Sequence, residues 1–208
     1  MKVAVFGGTG YVGSYIVEEL VNQGFTPRLL VRNGSEKKIM KPKKCEIFKG
    51  DIDNTDIVEE VISQADVVIY LIAVIREFPR KGITWEKLQF KAVRSCIDIS
   101  KTHNVKKFIL MSANGVKPHG TNYQKTKFMA DEYLKNSGLN YTIFRPTSLF
   151  GDPRGNGRPE FNTQILNDML SLPIPAPLFH NGLVPLNAGE FSFSPIHVKD
   201  VASIFVKS

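Results

Sequence analysis

A chain of 208 residues with 42% apolar and 23% charged side chains can bury one substantial core, and this mixture excludes a disordered or fibrous protein. The net charge of +7 raises nucleic acid as a partner, yet the basic residues are dispersed apart from Lys37 to Lys44 and no nucleic-acid-reading motif accompanies them. The longest apolar run, Val67 to Ile75, is far shorter than the roughly 20 residues a membrane-spanning helix needs, and with no signal-peptide pattern the expected location is cytoplasmic.

The chain opens on Val3-Ala4-Val5-Phe6, a strand-like run that breaks into glycines at 7, 8, 10 and 13. From Tyr11 the pattern turns helical, with Val12, Ile16, Val17, Leu20 and Val21 at three-to-four-residue spacing. Glycines at this spacing in a strand-to-helix turn predict a dinucleotide cradle. Gly7 lets the chain leave the strand, Gly10 lets a pyrophosphate approach the backbone, and Gly13 removes a side chain where the helix lies close to the sheet. Thr9, Tyr11 and Val12 complete the predicted cofactor contacts of this turn, where the helix N-terminus attracts phosphate. No Gly-Lys-Ser/Thr follows, which excludes a Walker-type loop.

Further along, strands are predicted at Pro27 to Val31, Glu46 to Lys49, Val67 to Ala73, Lys107 to Ser112 and Asn140 to Phe144. Helices are predicted at Asp53 to Gln64, Trp85 to His103 and Tyr123 to Asn136. Runs such as VVIYLIA and KFILMS are apolar on both faces, as central parallel strands covered by helices must be. The predicted fold is therefore α/β, a doubly wound parallel sheet of the Rossmann type, spanning 1–208 as a single domain. The lysines between 37 and 44 read as a solvated surface, the alternative being a field that draws a phosphorylated cofactor.

Beyond Arg145 the texture changes. The segment 146–190 is rich in proline and glycine, with a helical stretch around Pro159 to Leu172 followed by LPIPAPL, and is expected to cover the substrate side. Its apolar part, Leu166 to Leu178, suits either a partner or a substrate cover. A strand at Phe191 to Ile196 and a helix from His197 to Lys207 close the chain. His180 and His197 read as structural hydrogen-bonding residues, and Cys45 and Cys96 as buried free thiols; no metal site is expected.

Tyr123 and Lys127 stand one helical turn apart, with Ser112 at the end of the preceding strand. A free phenol titrates near 10 and becomes a useful acid or base only where something stabilises its anion, as a neighbouring ammonium does. A serine hydroxyl beside that pair can hold a substrate oxygen while hydride passes to or from a nicotinamide.

With these residues the chain resembles the extended or atypical short-chain dehydrogenase/reductase superfamily. The resemblance is carried by GGTGYVG at 7–13, LLVRN at 29–33, GDI at 50–52, LIA at 71–73, KFILMSANG at 107–115, YQKTK at 123–127, RPTSLFGDP at 145–153 and PIHVKDVA at 195–202. Within it the chain is most similar to the branch of the NADPH-carrying accessory subunit of respiratory complex I, with NmrA-like and photosystem-assembly proteins. The resemblance implies that Tyr123 is the acid/base, that Lys127 supports it and binds the nicotinamide ribose, and that Ser112 orients the substrate. It implies further that Asp51 and Ile52 border the adenine, that Ala73 lies beside the nicotinamide ribose, and that Pro146 and Ser148 flank the carboxamide. Read on their own, Tyr123 and Lys127 are also a solvated helix pair, Ser112 a strand-end cap and Asp51 a turn residue.

Two departures from the superfamily pattern stand out. The catalytic asparagine of the long helix has no counterpart in Leu88-Gln89-Phe90-Lys91-Ala92, and the C-terminal substrate region reads as small and incomplete. At the end of the second strand Arg32 replaces the acidic residue that would repel a 2′-phosphate, with Ser35 and Lys37 close by, so NADP is the expected cofactor. NAD remains the alternative should Arg32 merely stand beside the pocket. The expected function is an NADP-dependent oxidoreductase on a small carbonyl, alcohol or sugar-derived substrate. The alternative is a non-catalytic NADPH-binding assembly or redox-sensing protein of a respiratory or other membrane complex; membership of a protein complex and homo-oligomerisation are both left open.

Overall fold

Strands that are apolar on both faces need helices on both sides, and the chain folds accordingly. The computed structural model describes residues 1–155, Arg158, Thr163 and 194–208. Its main sheet is six-stranded, with β1 (Lys2–Phe6), β2 (Thr26–Val31), β3 (Glu46–Lys49), β4 (Val67–Tyr70), β5 (Lys107–Met111) and β6 (Tyr141–Phe144) in the order β3-β2-β1-β4-β5-β6. All neighbours are parallel. The order reverses between β1 and β4, and in such sheets the crevice beyond the carboxyl ends of the two strands is where ligands settle.

Alternate side chains of each strand serve opposite cores. Phe6, Tyr70 and Phe108 pack with Ile62, Ile97 and Leu134 beneath α2 (Thr55–Ile62), α3 (Ala92–Thr102) and α4 (Asn122–Lys135). On the other face Val5, Leu29 and Ile69 pack with Ile16 of α1 (Tyr11–Asn22) and Phe205 of α5 (Val198–Lys207). The doubly wound parallel fold expected from the sequence is thus the one observed.

Where element ends differ from expectation, hydrogen bonding explains it. The fourth strand stops at Tyr70 rather than Ala73 because β1 turns away at Gly7: Leu71 N still donates to Phe6 O at 2.9 Å, and beyond it β1 offers no further partner. Helix α2 starts two residues later than predicted because the Asn54 carboxamide accepts from Asp56 N and Ile57 N at 3.1 and 3.3 Å, which makes Asn54 its N-cap. A reciprocal Thr121–Gln124 capping box sets the start of α4. The long helix predicted from Trp85 is present, but Glu86–Lys91 are wound as a π-helix before α3 begins.

A second, two-stranded sheet pairs β7 (Leu149–Phe150) with β8 (Ile196–His197). His197 is structural, as expected: its Nδ1 accepts from Lys199 N at 3.2 Å and caps α5. The predicted helix at 159–172, the LPIPAPL run, the apolar stretch 166–178, His180 and the first part of the predicted strand at 191–196 lie outside the described residues. Both cysteines are free, Cys96 buried and Cys45 only half-buried, where burial pushes its thiol up to about 11. Among the described residues no helix is long and apolar enough to cross a membrane, and no cluster of metal-ligating side chains occurs.

Candidate functional site

At the mouth of β1 the glycines do separable work. Gly7 sits at φ +94°, and a Cβ there would lie 3.2 Å from the backbone of Leu71 and Ile72. Gly10 N donates to Gly7 O at 3.0 Å and closes the turn. A Cβ on Gly13 would fall 2.1 Å from Gly7 O and 2.8 Å from Gly8 Cα. The close approach that requires Gly13 is therefore to the glycine turn itself rather than to the sheet strands. Gly10 caps α1 without a side chain, and the first turn carries no acid. The positive end of the α1 dipole favours an anion there, and a cradle that a Cβ would fill fits a dinucleotide phosphate.

The other predicted cofactor contacts ring the same crevice at different depths. Arg32 follows β2 and is exposed, with Gly34 at φ +83° in the turn behind it. Asp51 and Ala73 are exposed, whereas Ile52 is packed into the core beneath α2 and α3. Pro146 and Ser148 are half-buried; Pro146 O accepts from Asn114 N at 2.9 Å and Ser148 O from Ile196 N at 3.0 Å. Of the predicted lysine surface, Lys37, Lys41, Lys43 and Lys44 are exposed and Lys38 is half-buried.

Beyond the end of β5, Ser112 and Lys127 meet around a residue that sequence reasoning did not single out. Ser112 Oγ donates to Asp131 Oδ2 at 3.0 Å, and Arg145 reaches the same oxygen through Nε at 2.9 Å and Nη2 at 2.8 Å. Asp131 is fully buried. Lys127 Nζ donates to Met111 O at 3.2 Å; burial pushes its ammonium down to about 8, against the opposing pull of Asp131. The same ammonium lies 5.7 Å from the centroid of the Tyr123 ring, which meets Trp85 edge-on at 6.0 Å.

The expected easing of the Tyr123 ionisation is not what this environment produces. Burial raises the phenol above its ordinary value, so the neutral form is favoured. Among the described residues no hydrogen bond joins the Tyr123 hydroxyl to Ser112 or Lys127.

Gln89 is the second unanticipated residue. The π-helical winding turns it inward to 2% exposure, where Nε2 donates to Val74 O at 2.9 Å. It borders a cavity of about 10 Å³ together with Ser112, Lys127 and Asp131. Among the described residues Gln89 Oε1 and Asp131 Oδ1 are buried acceptors without a hydrogen-bond partner, so the polar network behind the tyrosine–lysine pair is incompletely satisfied there. The spacing of Asp131, one turn beyond Lys127, was the available sequence signal for it.

The glycine cradle at the switch point sits within the reach of a family model, described as NAD(P)H-binding, that matches residues 7–168. The chain belongs to the NAD(P)H-binding family. Within this NAD(P)H-binding group it is similar to the mitochondrial NADH-ubiquinone oxidoreductase 40 kDa subunit of Neurospora crassa, 26% identical over 202 residues covering 95% of this chain and 49% of that protein. It is likewise similar to the chloroplastic divinyl chlorophyllide a 8-vinyl-reductase of Cucumis sativus, 26% identical over 164 residues covering 72% of this chain and 39% of the reductase. The chain spans less than half the length of either relative. In fold it is similar to the Bordetella bronchiseptica enzyme WbmH, solved in complex with NAD+, with a TM-score of 0.73 at 20% identity over 99% of this chain and 71% of that one. The expected NAD(P)-binding family is borne out by the match over residues 7–168, and the expected Rossmann-type fold by the structural likeness.

Proposed function

We propose that this chain is an NADP-dependent oxidoreductase of the short-chain dehydrogenase/reductase type, acting on a small carbonyl, alcohol or sugar-derived substrate. The observation that carries the reading is the glycine turn that leaves the first turn of α1 open to phosphate, with no side-chain cap and no acid. Gly7, Thr9, Gly10, Tyr11, Val12 and Gly13 hold the pyrophosphate. Arg32 takes the 2′-phosphate, where an acidic residue would repel it. Asp51 and Ile52 border the adenine, Ala73 and Lys127 the nicotinamide ribose, and Pro146 and Ser148 the carboxamide. When bound, the nicotinamide supplies hydride exchange. The chain's own part is to move a proton at Tyr123 Oη, to stabilise the resulting phenolate with the Lys127 ammonium, and to hold the substrate oxygen at Ser112. On this reading 1–208 is one domain of cytosolic type; most of 146–190, expected from the sequence to cover the substrate side, lies outside the described residues.

A second reading is favoured by one contact. The Ser112 hydrogen is already given to Asp131, which suits a chain that binds NADPH without turnover inside a protein assembly. The similarity to a complex I subunit points the same way.

Calorimetric titration with NADPH and NADH, followed by a screen for NADPH oxidation against carbonyl substrates, separates the readings. Tight NADPH binding with turnover supports the oxidoreductase, and tight binding without turnover supports the assembly role. Absence of binding overturns both.

A further inference from the structure

Arg158 crosses the gap between the glycine turn and the turn that follows β2. Its Nε donates to Thr9 O in the glycine turn at 3.1 Å, and its Nη2 donates to Lys38 O, in the 3-10 turn after β2, at 2.7 Å. Nη1 donates to Arg154 O at 2.6 Å and to Pro153 O at 3.4 Å. A guanidinium carries five N–H donors, and among the described residues one hydrogen on Nη2 has no acceptor.

Among the described residues only carbonyl oxygens accept from this group, which is 7% exposed. A buried guanidinium without a carboxylate keeps most of its desolvation cost, and such charges ordinarily face an anion. Among the described residues no carboxylate hydrogen-bonds to it, although the charge of Asp152 favours its protonated form through space. Glu18 is paired with Arg154, whose guanidinium stacks 3.5 Å from the Tyr15 centroid. Glu36 faces Lys49 at 3.7 Å, and Asp152 Oδ1 accepts from Arg154 N at 2.8 Å. Arg154 itself repels Arg158. Arg32, Lys37 and Lys38 add further positive charge on the β2 side of the same gap.

We propose that Arg158 is a second phosphate-reading residue of the adenosine subsite, taking the ribose 2′-phosphate of an NADP-type cofactor from the side opposite Arg32. The inference rests on the cofactor reading above and deepens it: discrimination between NADP and NAD is shared between a residue at the end of β2 and one far along the chain. A planar guanidinium can offer paired donors to phosphate, and Arg158 is held in place by carbonyls of the glycine turn and of the turn after β2.

The test uses the full chain and two small probes that differ only in the phosphate at issue, adenosine 2′,5′-bisphosphate and adenosine 5′-monophosphate, titrated calorimetrically. Arg158→Met is expected to weaken the bisphosphate by about tenfold while leaving the monophosphate nearly unchanged, and Arg158→Lys to recover part of the loss. Melting temperatures establish that each variant is folded, and Arg158→Lys serves alone should Arg158→Met fail to fold, with a selective loss of bisphosphate affinity expected for it too. Equal losses for both probes would make Arg158 a structural tie, and unchanged affinities would remove it from the subsite; either result overturns the proposal. Wild-type protein that binds the two probes equally sinks the NADP preference itself, and protein that binds neither sinks the cofactor reading. Wild-type preference retained in Arg158→Met sinks the Arg158 assignment alone.

Discussion

Ser112 donates its one hydroxyl hydrogen to Asp131 across 3.0 Å, and that carboxylate is otherwise held by Arg145. Ser112 therefore meets a ligand with lone pairs only, which suits a hydroxyl that donates better than a carbonyl that must accept. The energetic weight of the arrangement falls on Asp131, because a fully buried carboxylate stripped of its cation keeps its desolvation cost. Arg145→Met is expected to destabilise the fold by about 2 kcal/mol, toward the lower end for a buried pair because the arginine side chain is 41% exposed. Adding Asp131→Asn should restore part of that loss. Urea unfolding of the single and double variants checks this, and a double variant no more stable than Arg145→Met would show that the buried charge is not the source.

Lys127 ties stability to pH in the opposite sense from a surface lysine. Its folded value of about 8 lies below the ordinary 10.5, so burial penalises the protonated form. Below pH 8 both folded and unfolded chains carry the proton, and the cost is fully present. Between pH 8 and 10.5 the unfolded chain holds more proton than the folded one, so the cost fades as pH rises. Lys127→Met is expected to be more stable than wild type at pH 7 by up to about 3 kcal/mol, less what is lost with the hydrogen bond to Met111 O. That gap should close toward pH 10.5. Paired denaturant titrations at pH 7 and near pH 10 test it, and a gap independent of pH would mean that the ammonium is not penalised.

The strands, their parallel pairing and the glycine turn were legible because each is written in local pattern: two-faced apolar runs, helical stripes, and glycines at spacings that only one kind of turn needs. Several element ends were missed by a residue or two because they hang on single caps, as with Asn54 and Thr121. Asp131 and Gln89 were harder to see. Their importance arises where the inner side of α4 meets the π-helical turn below β5, and no spacing in the sequence announces that a helix will wind with the wider period over Glu86–Lys91. Arg158 is more distant still, since Thr9 and Lys38 become its neighbours only through the tertiary fold.

The glycine turn yields a graded pair of substitutions. An added methyl on Gly13 would meet backbone at 2.1 Å, which a side-chain adjustment cannot relieve, whereas on Gly10 the nearest atom is Gly7 O at 3.2 Å. Gly13→Ala is expected to cost about 2–3 kcal/mol through displacement of α1 from its turn, and Gly10→Ala about 1 kcal/mol or less. Chemical denaturation measures both. NADPH titration of the folded Gly10→Ala variant then isolates the phosphate approach, because there the methyl occupies the cradle without dismantling it. Equal stabilities for the two variants would contradict the packing described.

Arg32 offers the cleanest separation of binding from folding. It is exposed, and among the described residues its guanidinium makes no hydrogen bond or ion pair, so charge reversal there should leave the unfolding free energy within about 0.5 kcal/mol of wild type. What changes is the field at the end of β2. Arg32→Glu is expected to weaken NADPH by at least about tenfold while NADH changes little, since a carboxylate repels the 2′-phosphate and can accept from an unmodified ribose hydroxyl. Calorimetry with the two cofactors on one protein preparation decides it. Equal losses for NADPH and NADH would assign Arg32 to general cofactor binding, and unchanged affinities would place the 2′-phosphate elsewhere, with Arg158 the next guanidinium to test.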